Sequence, residues 1–371
     1  MKTFRLLCHA LMALTLITLA SCRPDDDGII PSQQMKVDMG EGSFYLLNEG
    51  SWGSNKSTLD YYDAATHTYH RNIFAERNPH VVGELGDMGN DLQVYDGKLW
   101  AVMNGSNLIE VMDAATALHI GQISIPNCRH IIFDGRHAYV TSYAGAAGMD
   151  PNAQQGYVAR IDIDRMEITD TCTVGYQPEG MALYDGRLYV ANSGGYRAPD
   201  YDNTISVIDL ETFTLTSTVE VGLNLHRIVR DSQDYLWVSS RGDYMACEPK
   251  TYVVDPRTNM VCDSLDLAIS GMALAGDSLY IYNSDWSTGL SNYHLINTRT
   301  REALTDRLIT DSIRVPYGIA VHPITRDIYI TDAGDYVNPG QLYSFHPGGE
   351  RRNHVRTGNL PAHIAFCTSN P

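Results

Sequence analysis

The sequence predicts an all-β protein: a seven-bladed β-propeller, with the ring closed by a C-terminal strand that completes the first blade. Three observations carry this. A short apolar strand with an aromatic residue at a fixed place recurs seven times: FYLLN (44–48), LWAVM (99–103), AYVTS (138–142), LYVAN (188–192), LWVSS (236–240), LYIYN (279–283) and IYITD (328–332). The aligned aromatics are Tyr45, Trp100, Tyr139, Tyr189, Trp237, Tyr280 and Tyr329, spaced by 55, 39, 50, 48, 43 and 49 residues. A period of about 40 to 50 residues with several strands per unit is that of a propeller blade. Finally, no stretch after residue 43 carries a long apolar pattern of helical period.

Each unit resolves into four strands. An inner strand precedes the aromatic one, as in LQVYDG (92–97), HIIFDG (130–135), MALYDG (181–186), RIVRD (227–231), MALAGD (272–277) and IAVHP (319–323). A third strand follows, such as TISVID (204–209) or TYVVD (251–255), then a fourth, such as LTSTVEV (215–221). Val, Ile, Tyr and Thr fill these runs, and Asp-Gly or Asp-Pro separates them, as strand and turn chemistry requires. The aromatic strand is apolar on both sides of its pleat because neighbouring blades cover both faces. The propeller begins at its second strand and ends with a first strand, HIAFC (363–367), so the last strand is expected to complete the first blade. Such closure removes free sheet edges.

Three segments are expected: a lipoprotein signal peptide (1–21), a lipidated acidic tether (22–42) and the propeller (43–371). Residues 1–21 carry Lys2 and Arg5 and then an apolar run, too short for a membrane span. The run ends in Leu19-Ala20-Ser21-Cys22, which resembles a bacterial lipobox with Cys22 as the lipidated residue. Several acyl chains on one cysteine bury enough methylenes for firm anchoring. The cluster Asp25-Asp26-Asp27 resembles the surface-export signal of Bacteroidetes lipoproteins, giving an expected location on the outer membrane, exposed at the cell surface. The stretch to Gly42, rich in polar residues, Pro and Gly, reads as a flexible tether.

The formal charge is −17, and −19 once Lys2 and Arg5 leave with the signal. No basic stripe offsets it, which excludes nucleic acid as a partner. Beyond Cys8 and Cys22, the five cysteines Cys128, Cys172, Cys247, Cys262 and Cys367 show no zinc-type spacing and allow at most two disulfides, whose pairing the sequence leaves open.

In a propeller the second-to-third and fourth-to-first connections emerge on one face, and here they are the long, chemically rich ones. The former hold Trp52, Tyr143, Tyr196, Arg197, Tyr201, Arg241, Asp243, Tyr244, Asp285, Trp286, Asp335 and Tyr336; the latter hold Arg129, His130, Tyr176, Gln177, Glu179, His226, Arg227, Tyr317 and His363. Aromatic rings and arginines around a concavity suit a large, flat, partly apolar ligand. The candidate ligand-binding set is therefore Trp52, Arg129, Tyr143, Tyr176, Glu179, Tyr196, Arg197, His226, Arg227, Arg241, Asp243, Tyr244, Trp286, Tyr317, Tyr336 and His363. Taken singly, each aromatic is also an ordinary loop plug. There is no G-x-S-x-G, no H-E-x-x-H and no phosphate-binding glycine loop, so the expectation is a binding protein without catalytic residues, cofactor or metal. Glu49, Asn104, Asn192 and Asp332 are a conceivable channel set for a metal-dependent lyase or lactonase, but Asn and Asp at strand ends read more simply as turn braces.

The segment YVAN (189–192) followed by NTISVID (203–209) resembles the YVTN group of seven-bladed propellers, though LWVSS and IYITD depart from that pattern. More specific segments, NEGSWGSNKSTLDYYD (48–63), NIFAERNP (72–79), GYQPEGMA (175–182), ANSGGYRAPDYDNTISVIDL (191–210) and SSRGDY (239–244), resemble the BtuG-type cobalamin-binding surface lipoproteins of Bacteroidetes across the whole mature chain. That resemblance implies capture of cobalamin (vitamin B12) and other corrinoids at the loop-rich face, with transfer to a BtuB-type TonB-dependent transporter. The D-x-H-x-x-G motif of cobalt-ligating enzymes is absent; Ser344-Phe345-His346-Pro347-Gly348-Gly349 lacks the Asp, so binding without cobalt ligation is expected. A glycan-binding surface protein would use the same aromatics as flat platforms and stays open, as does the metal-dependent enzyme.

Overall fold

The computed structural model describes residues 34–81, 85–285 and 288–367. Cys22, the acidic cluster at 25–27 and Trp286 lie outside the described residues. Seven antiparallel sheets, six of four strands and one of five, form the predicted propeller. The inner strands of blades 2 to 7 are Gly89–Tyr95, Cys128–Asp134, Pro178–Tyr184, Leu225–Arg230, Gly271–Ala275 and Pro316–Val321. The inner strand of blade 1 is the last of the chain, Pro361–Phe366, paired antiparallel with Phe44–Asn48. Ring closure is therefore as expected.

All seven repeated aromatics are buried, none above 4 % exposed. Two of them also tie blades together through their hydroxyls. Tyr45 Oη donates to Ala114 O at 3.0 Å, and Tyr189 Oη donates to Pro256 O at 2.9 Å, each reaching an outer turn of the next blade. In these two copies a ring buried between blades keeps its polar tip paired on a neighbouring carbonyl, whereas the buried Tyr329 hydroxyl has no such partner among the described residues. The Asp-Gly turns also behave as expected. Asp96 and Gly97 have φ of 48° and 68°, and Asp185 and Gly186 of 46° and 69°. These left-handed pairs match the right-handed twist of the flanking strands.

The tether boundary differs from expectation. Gln34–Lys36 forms a fifth, outermost strand on blade 1, paired with Thr68–His70. Lys36 Nζ donates to Thr66 O and to Thr68 Oγ1, both at 2.8 Å. Met39 is wholly buried among Phe44, Tyr62, Tyr69 and Tyr329. Three residues of strand are too few to announce themselves in a polar sequence; what orders them is an open sheet edge and a hole for one methionine. Gly40, at φ +117°, lies where a Cβ would approach Tyr329 Oη to 2.7 Å, so this entry into the blade requires glycine. The five cysteines from Cys128 onward are all unpaired.

Candidate functional site

The inner strands share a local irregularity. In six of seven blades the register between inner and second strand slips near the strand start, so that two residues oppose one. Such a bulge bends the strand and re-aims side chains. The doubled residues include Arg129-His130 in blade 3, Glu179-Gly180 in blade 4, His226-Arg227 in blade 5 and Tyr317-Gly318 in blade 7. Blade 6 keeps regular register. A buried hydroxyl opposite the bulge accepts the displaced amide in two blades: His130 N donates to Thr141 Oγ1 at 3.1 Å, and Arg227 N to Ser239 Oγ at 2.9 Å.

Glu179, 1 % exposed, is the hub that results. Its Oε1 accepts a 2.6 Å hydrogen bond from Tyr143 Oη and lies 3.6 Å from Arg241 Nη1. Its Oε2 accepts from Arg129 Nη2 at 3.3 Å and stands 3.5 Å from His130 Nε2. Burial alone would raise the Glu179 carboxyl. Arg129, His130, His226 and Arg241 overcome that and hold it well below the usual carboxylate range. Arg129 is clamped further by Asn90, whose Oδ1 accepts from Nη1 at 2.7 Å, and its guanidinium lies 4.8 Å over the Tyr143 ring. On the far side of His130, Nδ1 is 3.4 Å from Asp91 Oδ2. Despite burial, the hydrogen bond and charge of His130 bring the Asp91 carboxyl down to about 2.

A second carboxylate sits across the mouth. Glu49 Oε2 accepts from Tyr317 Oη at 2.6 Å, and Oε1 is 3.1 Å from His363 Nε2. Tyr282 Oη donates to Tyr317 O at 2.7 Å and bridges blades 6 and 7. Every blade thus supplies a polar group to one ring: Glu49 and His363, Asp91, His130, Glu179, His226, Tyr282 and Tyr317. Gly318 has a separate duty, since a Cβ there would come within 2.0 Å of Ala362 O where blades 7 and 1 meet.

The expected aromatics surround this ring. Tyr196 packs edge-on against Tyr143 at 5.0 Å, Arg197 stacks 3.8 Å over Tyr176, and Tyr336 stands 6.1 Å from Tyr317. Trp52 and Tyr244 are the outermost, 57 % and 67 % exposed. A recess of about 370 Å³ between the loops of blades 3 and 4 is lined by Tyr143, Met149, Gln154, Gln177 and Tyr196 among others. A larger groove of about 1200 Å³, lined by Tyr61, Asp96, Asp113, Arg136 and Asp164 among others, lies among the short turns of the opposite face.

Of the expected binding residues, Arg129, Tyr143, Glu179, His226, Arg241, Tyr317 and His363 join the ring or its immediate partners. Asp243 instead folds its own loop, where its Oδ1 accepts the backbone N–H of Met245, Ala246 and Cys247 at 2.8 to 2.9 Å. Asn104 and Asn192 brace neighbouring strands, and Asp332 accepts Val315 N at 2.9 Å and Gly334 N at 2.8 Å, as turn chemistry suggests. Glu49 is the exception in that group. Asn90, Asp91 and Tyr282 join the site without having stood out in the sequence. Aligning the inner strands would have exposed Asp91, which occupies the position of His130 and His363 in the neighbouring blades.

His130, Glu179 and His226 offer donor atoms within 4.8 Å of one another, a set that metal ions use. The charges around it favour anions instead. Both Glu179 oxygens are already engaged, and burial together with Arg241 and Arg227 pushes the His226 imidazole well below its usual range. Arg241 and Arg227, whose charge adds to that burial, also oppose a divalent cation.

These features describe a seven-bladed propeller with a charged, aromatic-rimmed channel mouth. Residues 42–346 match the family described as "Domain of unknown function (DUF5074)", and the chain belongs to that family. No curated protein matches it significantly. Among solved structures it is similar to the hydrazine synthase of Kuenenia stuttgartiensis (14 % identity, TM-score 0.61, covering 75 % of this chain and 89 % of that one). It is also similar to a quinonprotein alcohol dehydrogenase-like protein of Bacteroides thetaiotaomicron (12 %, 0.60, 88 % and 78 %) and to the computationally designed Ika8 protein (10 %, 0.54, 76 % and 91 %). At such identities the likeness is one of fold.

Proposed function

We propose that this protein is a surface lipoprotein that captures cobalamin and other corrinoids at the loop-rich mouth of its propeller and passes them to a TonB-dependent outer-membrane transporter. The observation that supports this reading is the composition of the mouth: hydrogen-bonding groups from all seven blades, rimmed by Tyr176, Tyr196, Tyr244, Tyr336 and Trp52. A corrinoid offers a broad ring with peripheral amides, a phosphate, a ribose and an aromatic base. The rim supplies flat faces for the ring, and the polar floor supplies donors and acceptors for the amides. A recess of about 370 Å³ admits a side group only, so the corrin lies across the mouth.

The decisive experiment mixes the full chain with cyanocobalamin and separates them by gel filtration. Colour travelling with the protein is expected; colourless protein ends the reading. Truncating single rim or floor anchors to Ala is expected to cost about 2 kcal/mol for the two or three that dominate, and far less for the others. Arg165→Ala, in an outer turn of blade 3 where the arginine pairs with Glu167 at 2.7 Å, is the control expected to bind normally. The set His130, Glu179 and His226 favours one other reading, a metal-dependent enzyme, which predicts a raised melting temperature with added Zn²⁺ or Mn²⁺ and loss of that shift on chelation.

A further inference from the structure

Blade 5 carries a concentration of positive charge that its surroundings leave unbalanced. The bulge presents His226 and Arg227 side by side, and Arg241 follows directly on the second strand of the same blade. Among the described residues no carboxylate lies within ion-pair distance of Arg227, although the chain as a whole carries a formal charge of −17. Arg241 reaches only Glu179, at 3.6 Å, and that carboxylate is already engaged by Arg129, His130 and Tyr143. His226 is 7 % exposed, and burial, then the charges of Arg241 and Arg227, disfavour its protonation. In so acidic a chain, one guanidinium with no carboxylate partner beside another that reaches only a spent one is placed for a ligand's charge. Guanidinium groups take phosphate oxygens in paired, charge-assisted hydrogen bonds, and a neutral imidazole adds a further donor.

We propose that Arg227, Arg241 and His226 form an oxyanion subsite at the channel mouth that takes a phosphodiester or phosphomonoester group of the bound ligand. Resting on the corrinoid reading, the group held is the phosphate of the nucleotide loop, and the corrin ring spreads from blade 5 toward the aromatics of blades 3 and 4. The subsite itself is a property of blade 5 and can fail or stand independently of the ligand's identity.

The test measures affinities of the full chain for cyanocobalamin, for cobinamide phosphate and for cobinamide, which lacks the phosphate. The native protein is expected to hold the two phosphate-bearing corrinoids about tenfold or more tightly than cobinamide. Arg227→Gln and the double variant R227Q/R241Q should close that gap by weakening the phosphate-bearing ligands selectively. Arg227→Gln keeps the Glu179 cluster intact, so it remains informative if the double variant fails to fold. Equal native affinities for cobinamide and cobinamide phosphate, or equal losses for all three ligands, would overturn the subsite while leaving corrinoid capture standing. If no corrinoid binds, capture falls, and inorganic phosphate becomes the probe. A phosphate-induced shift of the His226 imidazole resonance, lost in Arg227→Gln, would sustain the subsite; an unmoved resonance would end it.

Discussion

At the level of single residues, the site is governed by how few ways a buried charge can be satisfied. Glu179 compensates Arg129 directly, and Arg241 from the other oxygen, so Glu179→Gln removes the carboxylate that faces both. Breaking a buried ion pair from one side costs about 3 kcal/mol or more, because the partner stays charged without compensation. The expected outcome is a lower urea midpoint and a weakened ligand mouth; an unchanged midpoint would mean that water already carries those charges. His226 gives a pH signature of definite sign. Its folded-state value is depressed below the ordinary 6.5 by burial and by Arg241 and Arg227. On acidification the unfolded chain takes up this proton near 6.5 and the folded chain does not, so stability falls as pH drops from 7 toward 5. One such group contributes a slope of at most about 1.4 kcal/mol per pH unit. Glu179, depressed in the fold, adds a loss in the same direction at lower pH, below its ordinary 4.5. His226→Gln should flatten part of the slope between pH 7 and 5, leaving the share of His294 and His322, whose imidazoles burial also depresses. Denaturation curves across that range decide the matter, and an identical slope in His226→Gln would show that the imidazole is charged in the fold.

Among the elements, the bulge is the device that converts a repeated strand into a polar channel mouth. Regular pleating would alternate these residues between the two faces of each blade. Doubling two residues against one releases the strand start from that alternation, and the hydroxyl opposite secures the result. Thr141 is the clearest case: its Oγ1 accepts His130 N at 3.1 Å and donates to Glu179 O at 3.1 Å, joining the bulges of blades 3 and 4. Thr141→Val keeps the shape but leaves a buried N–H and a buried carbonyl unpaired, a cost of about 1–3 kcal/mol. Both the melting temperature and the ligand affinity should fall, since the same bonds position His130 and Glu179. A stable variant with normal affinity would show that the strand register alone holds the bulge.

Across the molecule as a whole, the ring stands on its closure. Pro361–Phe366 supplies the inner strand of blade 1, and its His363 reaches Glu49 in the polar ring. Removing residues 361–371 opens the sheet at its innermost edge and breaks the polar ring at the same stroke. Insoluble or protease-sensitive protein is expected, with no folded remnant of near-native melting temperature. A truncated chain that melts normally would require another route of closure. Blade 1 gains from its other end more gently, because Gln34–Lys36 and the buried Met39 belong to it and not to a tether.

The seven-fold repeat, the closing strand and the face on which chemistry gathers are all legible in the residues alone. Each follows from local facts: an apolar period, Asp-Gly turns, and loops whose length and aromatic content differ between the two faces. Arg129, Glu179, His226, Arg241 and His363 are legible too, because charged groups beside apolar strands stand out in any reading. Which of these groups meet is a matter of the folded ring. Glu179 touches residues from positions 129, 130, 143 and 241, and Glu49 touches 317 and 363, pairings set by the order of blades around a ring and by bulges that have no residue signature of their own. Asp91 and Tyr282 entered the site for the same reason. The pattern within a strand specifies its own pleat, whereas a group at a channel mouth acquires its partners from strands one or two blades away.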